Sequence, residues 1–173
     1  MNPLLLAVAL CLVPIAQAQV EEPPNTGVYV KVSDRWISLE PIRAAGRTTK
    51  HLARLFLPGL PPQVVWSFRG THAALRIFGN SVQLFVRDVP DFDERNVVIV
   101  KFTVKNDHRE LQTTSAGNFS TFKAGFSRKQ APEFEVHKTS DHAYSIIPTE
   151  RLSPGEYLIT IGPGMIGYDF AVQ

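Results

Sequence analysis

The sequence predicts an all-β fold, an antiparallel β-sandwich with at most one or two short helical turns. Three observations carry this. Large apolar residues recur at every second position through most of the chain, which is the period of a strand and not of a helix. Turn signals built on Gly, Pro, Asn and Asp return about every 8–12 residues, the spacing expected of a sandwich or barrel. The C-terminal stretch Leu152–Val172, LSPGEYLITIGPGMIGYDFAV, reads as a corner, a strand, a tight turn and a final strand.

The first residues stand apart from the fold. Leu4 to Ile15 is almost wholly apolar, and Ala16-Gln17-Ala18 is a small-x-small cleavage signal. Residues 1–18 therefore read as a secretory signal peptide, although no Lys or Arg precedes the apolar run. The run is too short to span a bilayer, so no transmembrane segment is expected after signal removal. Localisation is expected to be secreted or periplasmic. The sole cysteine, Cys11, lies inside the signal, so the mature chain has no thiol and no disulfide. A lipid-attachment role for Cys11 fits poorly, because bulky Leu10 precedes it.

Residues 19–25 read as a polar, flexible lead-in, and residues 26–173 as one domain. The formal net charge of +2 gives no reason to expect nucleic acid or an anionic membrane as partner. Thr26–Val32 and Arg35–Leu39 form a hairpin across Ser33-Asp34, with Trp36 as its expected core anchor. Pro41–Gly59 is locally basic through Arg43, Arg47, Lys50, His51 and Arg54. Thr48 or Thr49 is a candidate cap for a short helix ending near Phe56. Solvated charge is the plain reading of these basic residues, and an anion-binding or membrane-surface patch is the alternative.

Gln63–Phe68 alternates through Val64, Trp66 and Phe68. Ala74–Phe78 and Val82–Arg87 are expected to form a hairpin across Gly79-Asn80-Ser81. Val97–Lys105 is the strongest strand, with Val98, Val100, Phe102 and Val104 facing one way. Asn106-Asp107 turns it into Arg109–Thr113. Thr114–Gln130 is a long polar loop with one short strand, followed by strands at Glu133–His137 and Ala143–Ile147. In the last hairpin Tyr157, Ile159 and Ile161 share a face, as do Tyr168, Phe170 and Val172. The small and polar Gly167, Asp169 and Ala171 are expected to face outward.

Chemistry-bearing residues are sparse. Asp88, Asp91, Asp93 and Glu94 are calcium candidates, since carboxylates on one loop can supply oxygen ligands, but EF-hand spacing is absent. His137, Asp141 and His142 are zinc candidates without an HExxH pair. A Ser140–Asp141–His142 triad is disfavoured, because adjacent residues point apart. No nucleophile elbow or phosphate loop occurs. Asn118-x-Ser120 matches the N-glycosylation pattern. No catalytic residue and no cofactor is assigned.

Leu152-x-Pro154-Gly155-x-Tyr157 resembles the tyrosine corner of immunoglobulin- and fibronectin-like sandwiches, in which the tyrosine hydroxyl bonds to backbone a few residues upstream. That resemblance makes the expected sandwich immunoglobulin-like, and makes Tyr157, with Trp36 and Trp66, a structural residue. Five further pieces together resemble a family of exported bacterial proteins of unknown function. They are Gly27-Val28-Tyr29, Trp36-Ile37-x-Leu39-Glu40-Pro41, Val98–Val104 with Lys105-Asn-Asp-His-Arg109-Glu110, Leu152-x-Pro154-Gly155-Glu156-Tyr157, and Tyr168-Asp169-Phe170-x-Val172. Family members usually carry glycine where Ala171 stands. The resemblance implies export and an all-β fold, and transfers no activity or site residue. The function expected from all this is a non-catalytic binding module for a protein or glycan partner. The alternatives are an exported hydrolase assembled from His108, His137 and Asp141, or a structural component of the cell envelope.

Overall fold

The computed structural model describes residues 22–50, 63–78, 81–90, 92–113, 130–161 and 166–173. Residues 1–18, read above as a signal peptide, Cys11 among them, Asp91, the Asn118 motif and the expected turn at Gly162-Pro163-Gly164 lie outside them. The fold is all-β. The described residues form fourteen strands, in chain order β1 (Gly27–Val32), β2 (Arg35–Ser38), β3 (Pro41–Arg43), β4 (Gly46–Lys50), β5 (Gln63–Arg69), β6 (Arg76–Ile77) and β7 (Leu84–Arg87), then β8 (Val98–Lys101), β9 (Thr103–Val104), β10 (His108–Thr113), β11 (Phe134–Ser140), β12 (Ala143–Pro148), β13 (Gly155–Thr160) and β14 (Ile166–Val172). A 3-10 turn occupies Glu94–Asn96. No helix of the described residues is long and apolar enough to cross a membrane.

The strands form three sheets. A front sheet runs β11-β12-β7-β1-β2, a middle sheet β3-β14-β13-β8, and a back sheet β4-β5-β10-β9. The middle sheet is covered on both faces. Its residues Ile99, Tyr157, Ile159, Phe170 and Val172 pack with Val28, Val30, Leu84, Val86 and Ile146 of the front sheet. Its residues Val98, Val100 and Leu158 pack with Val64, Trp66, Phe68 and Leu111 of the back sheet. Successive strand residues point to opposite faces, so both parities of β8 and β13 are buried. Val98, Ile99 and Val100 are all at most 6 % exposed, and the same holds for Leu158 and Ile159. The sandwich therefore has a third layer beyond the two that the alternation implied.

This layer corrects the expected outward face of the last hairpin. Gly167, Asp169 and Ala171 do share a face, but it lies under the back sheet. Asp169 is buried with Glu156 and Thr160. Gly167 is needed there for space. A Cβ on it would stand 2.7 Å from Leu158 Cδ1 and 3.0 Å from the Ile159 carbonyl oxygen.

Val97–Lys105 is not one strand. Val98–Lys101 pairs with β13 in the middle sheet, whereas Thr103–Val104 pairs with β10 in the back sheet. The chain changes sheets at Phe102, whose amide still donates to the Glu156 carbonyl at 2.8 Å. Such a switch makes the corner between packed sheets, and it leaves Val104 45 % exposed. A second crossing joins β3 in the middle sheet to β4 in the back sheet through Ala44-Ala45, where Ala45 N–H donates to the Ser67 carbonyl at 2.7 Å.

The expected hairpin of Ala74–Phe78 with Val82–Arg87 does not form. β6 lies parallel to the end of β14, with Arg76 opposite Ala171 and Ile77 opposite Val172, while β7 pairs with β1 and β12. Thr48 and Thr49 cap no helix, because they pair with Val65 and Val64 in β4–β5. Residues 51–62 lie outside the described residues.

The β1–β2 hairpin forms across Ser33-Asp34, with Ser33 in the left-handed region at φ 56°. Trp36 is not an anchor of the main core. It sits on the outer face of the front sheet, partly buried, 5.3 Å from the Phe85 ring and beside Tyr29 and Ala143. Trp66, by contrast, is 3 % exposed in the core between the middle and back sheets. Residues 22–25 are tied down. Pro23 is buried, the Glu22 carboxylate receives hydrogen bonds from Arg87 and Ser140, and the Asn25 carbonyl accepts one from Tyr29.

Candidate functional site

The boundary between the middle and back sheets holds the densest set of buried charges. Arg109 on β10 alternates with Leu111 and Thr113, so all three point inward at the middle sheet. Its Nη1 donates to Asp169 on β14 at 2.6 Å, and lies 3.6 Å from Glu156 on β13. Its Nε and Nη2 donate to the carbonyls of Gly70 and Arg69 at 3.2 and 3.4 Å. The guanidinium also stacks on Phe102, 4.8 Å from the ring centre. Glu156 receives the Ala73 amide at 2.6 Å and has His72 Nδ1 at 3.1 Å. Buried charges survive when they are paired and hydrogen-bonded in this way. The network consumes its own polar groups, and its role is to seat the back sheet on the middle one.

Above it lies a groove of about 420 Å3 at the β3–β4 crossing, lined by Ile42, Arg43, Ala44, Ala45, Phe68, Arg69 and Arg109. Arg43 ends β3 and Arg69 ends β5, and both are exposed. Among the described residues no carboxylate lines the groove. Arg109 forms its base, with its side chain 4 % exposed and its charge answered by Asp169. The Arg69 backbone is held from below, because Arg109 donates to its carbonyl.

A larger cleft of about 660 Å3 lies at the opposite corner, between the β11–β12 end of the front sheet and the approach to β13. Here the Tyr157 hydroxyl donates to the Ser153 carbonyl at 2.7 Å. Lys101 Nζ donates to Ser153 Oγ at 2.8 Å and to the Pro154 carbonyl at 2.7 Å. Gly155 is at φ 155°, and a Cβ on it would collide with the Lys101 side chain. Lys101, Ser153 and Tyr157 thus staple the corner before β13. Burial raises the Tyr157 phenol above its ordinary value, against the opposing effect of its hydrogen bond at Ser153.

The residues singled out from sequence for metal or catalysis are dispersed. Asp93 caps the 3-10 turn and is bonded by Arg95 through both backbone and side chain, which holds its carboxyl below the usual range. Asp88 stands at φ 50° beside Arg87, and Glu94 is exposed. His137 pairs with Glu135 at 3.0 Å, and Asp141 with Lys138 at 2.9 Å. His142 is in the β11–β12 turn at φ 60°. Ser140 Oγ donates to Glu22, not to His142. Among the described residues no group of three or more His, Cys, Asp or Glu is placed to hold a metal ion. His108 bonds Asp107 and Glu110 on the outer face of the back sheet, while His137 is on the outer face of the front sheet. Two packed cores separate these histidines, so they do not converge.

Sequence reasoning placed Arg43 in a basic stretch but missed Arg69, Arg109 and Lys101 as members of shared sites. The signal for Arg109 was its inward parity beside Leu111. Comparison with family models, with curated proteins and with solved structures returned no match.

Proposed function

We propose that the chain is an exported, secreted or periplasmic binding module that acts without catalysis and takes a protein or glycan partner. The observation that carries this reading is the groove at the β3–β4 crossing, a concave surface over a network whose charges are already paired. The fold spends its interior charges on itself, in the Arg109–Asp169–Glu156 network, and leaves Arg43 and Arg69 exposed at the strand ends beside the groove. A concave surface with an apolar wall is what a recognition site needs, and the groove falls in the size range of small-ligand sites. The signal-like leader and the resemblance to exported bacterial proteins support the compartment. His108 and His137 lie on the outer faces of separate sheets, which favours the binding reading over the hydrolase alternative.

The test is a photo-crosslinking amino acid placed at Ala45, in the groove wall, with Thr103 on the exposed β9 as control. A discrete adduct formed from position 45 and not from position 103, in the extracytoplasmic fraction of expressing cells, is the expected result. Equal or absent labelling at the two positions contradicts the reading.

A further inference from the structure

We infer that the chain associates with a second copy of itself through the outer edge of the front sheet, β11 pairing antiparallel with β11 about a twofold axis at Val136. Of the two edge strands of that sheet β11 is the longer, seven residues against four in β2. The direction of its backbone groups follows from one bond. The Thr149 amide donates to the Glu133 carbonyl at 3.0 Å, one step beyond the Phe134–Pro148 pair. Antiparallel partners alternate between bonded and non-bonded pairs. Glu135 and His137 therefore turn their N–H and C=O groups to β12, while Phe134, Val136 and Lys138 turn theirs outward. Among the described residues no strand lies on that side of β11. The pairable edge stops at a bulge, where the register shifts between Lys138 and Ser140.

The side chains decide which occupant fits, and in which register. Successive residues alternate faces, so Glu135 and His137 share the outer face, and Phe134, Val136 and Lys138 share the other. Glu135 and His137 are exposed and meet at 3.0 Å. Phe134 and Val136 are half-buried, packed against the front core with the edge beside them open. With the axis at Val136, position 134 of one copy faces 138 of the other, and 135 faces 137. The outward backbone groups of Phe134, Val136 and Lys138 then all find partners. Each Glu135 stands opposite a His137, so acid and base alternate both along and across the strands. On the other face Val136 meets Val136. The Lys138 ammonium is held by Asp141 at 2.9 Å, and its stem is left to cover the Phe134 ring of the second copy.

Opposite charges facing across strands stabilise a pair, and like charges oppose it. That selects the register. An axis at Glu135 sets Glu135 against Glu135, and an axis at His137 sets histidine against histidine. A slip of one residue turns the apolar parity against the charged one. The edge is complementary to itself in the Val136 register, as an isologous contact requires. A strand pair this short buries little area, so the dimer belongs with the weak interfaces, below about 1,200 Å2. It shares no residue with the β3–β4 groove and does not depend on what that groove binds.

The test uses the chain from Gln19 to Gln173. Sedimentation equilibrium from about 1 μM to about 1 mM spans the affinities of weak pairs. The average mass is expected to rise from one chain towards two. The NMR amide shifts that move with concentration should be those of Phe134 to Lys138. Glu135→Lys sets a cation against His137 at both symmetric contacts and should weaken association about tenfold. Adding His137→Glu restores opposite charges with the signs exchanged, and should restore the affinity. Both positions are exposed, so the thermal midpoint should stay in place. Val136→Pro removes an N–H that points away from β12 and should abolish association; if it also unfolds the protein, the charge variants decide.

A single-chain mass over the whole range overturns the inference. So does a dimer that Glu135→Lys leaves intact, or one whose concentration-dependent shifts fall outside residues 134–138. A charge exchange that fails to restore association overturns the register, and with it the axis at Val136.

Discussion

Arg109 and Asp169 lie on different sheets, yet their side chains meet at 2.6 Å with neither more than 10 % exposed. The pair joins the back sheet to the middle one within a buried polar network that also holds Glu156. Its removal should show how far the third layer depends on a single charge contact.

Arg109→Met strands Asp169 and Glu156 without their shared cation. The expected loss is about 3–5 kcal/mol, the usual result of breaking one side of a buried ion pair. Replacing both partners, as Arg109→Met with Asp169→Leu, should recover part of it, because a matched apolar pair strands no charge on Asp169. Urea denaturation of the three proteins checks this. A single variant as stable as the parent contradicts the assigned role.

Gly167→Ala tests the contact between layers from the steric side. The added methyl would meet Leu158 Cδ1 at 2.7 Å and the Ile159 carbonyl oxygen at 3.0 Å. Overpacking of this kind costs about 1–3 kcal/mol, and the denaturation midpoint should fall accordingly. A midpoint that stays put would mean that the Leu158 side chain moves aside without cost.

Much of this was legible in the residues, and the reasons for the rest are physical. Period-two alternation located the β1–β2, β11–β12 and β13–β14 hairpins, because local turns fix their register. Alternation cannot say whether a second face is covered. The signal for that was present in the unbroken apolar runs Val97–Val100 and Leu158–Ile159, since a strand buried on both sides loses its polar parity. The parallel pairing of β6 with β14 spans nearly a hundred residues, and no local pattern encodes it. The groove was only half legible. Arg43 stood out in a basic stretch, but Arg69 and Arg109 reach it through tertiary pairing alone.

Tyr157→Phe removes the hydroxyl that donates to Ser153 and should cost about 1 kcal/mol. Burial raises the phenol's pKa in the folded state, so the neutral form is the one the fold favours. Stability from this group is complete below the ordinary phenol value of 10.0 and is lost as pH rises through the raised folded value. Ultraviolet titration should show Tyr157 and Tyr168, which burial also raises, ionising above the ordinary phenol value. Ionisation of Tyr157 at or below that value in the folded protein would contradict this.

His108 gives a second pH dependence, of the same sign. Its hydrogen bonds to Glu110 and then Asp107 raise it above the ordinary imidazole value of 6.5. The protonated ring is favoured by folding, so its contribution is complete below 6.5 and fades as pH rises through the folded value. Proton NMR of the imidazole should place its midpoint above that of a histidine in the unfolded chain, and Glu110→Gln should bring it down. A His108 midpoint unmoved by Glu110→Gln would count against the pairing.

The account depends on the middle sheet being covered on both faces, and one thiol measures this directly. Thr160 is 2 % exposed on the face turned to the back sheet, whereas Thr103 on β9 is exposed. No cysteine follows Cys11, so in a protein that starts at Gln19 Thr160→Cys and Thr103→Cys each carry a single reporter. Reaction with a thiol reagent should be rapid at position 103 in the native protein, and at position 160 only after unfolding in urea. A native Thr160→Cys protein that reacts as fast as the Thr103→Cys protein would show that face open to water, and the third layer would not exist.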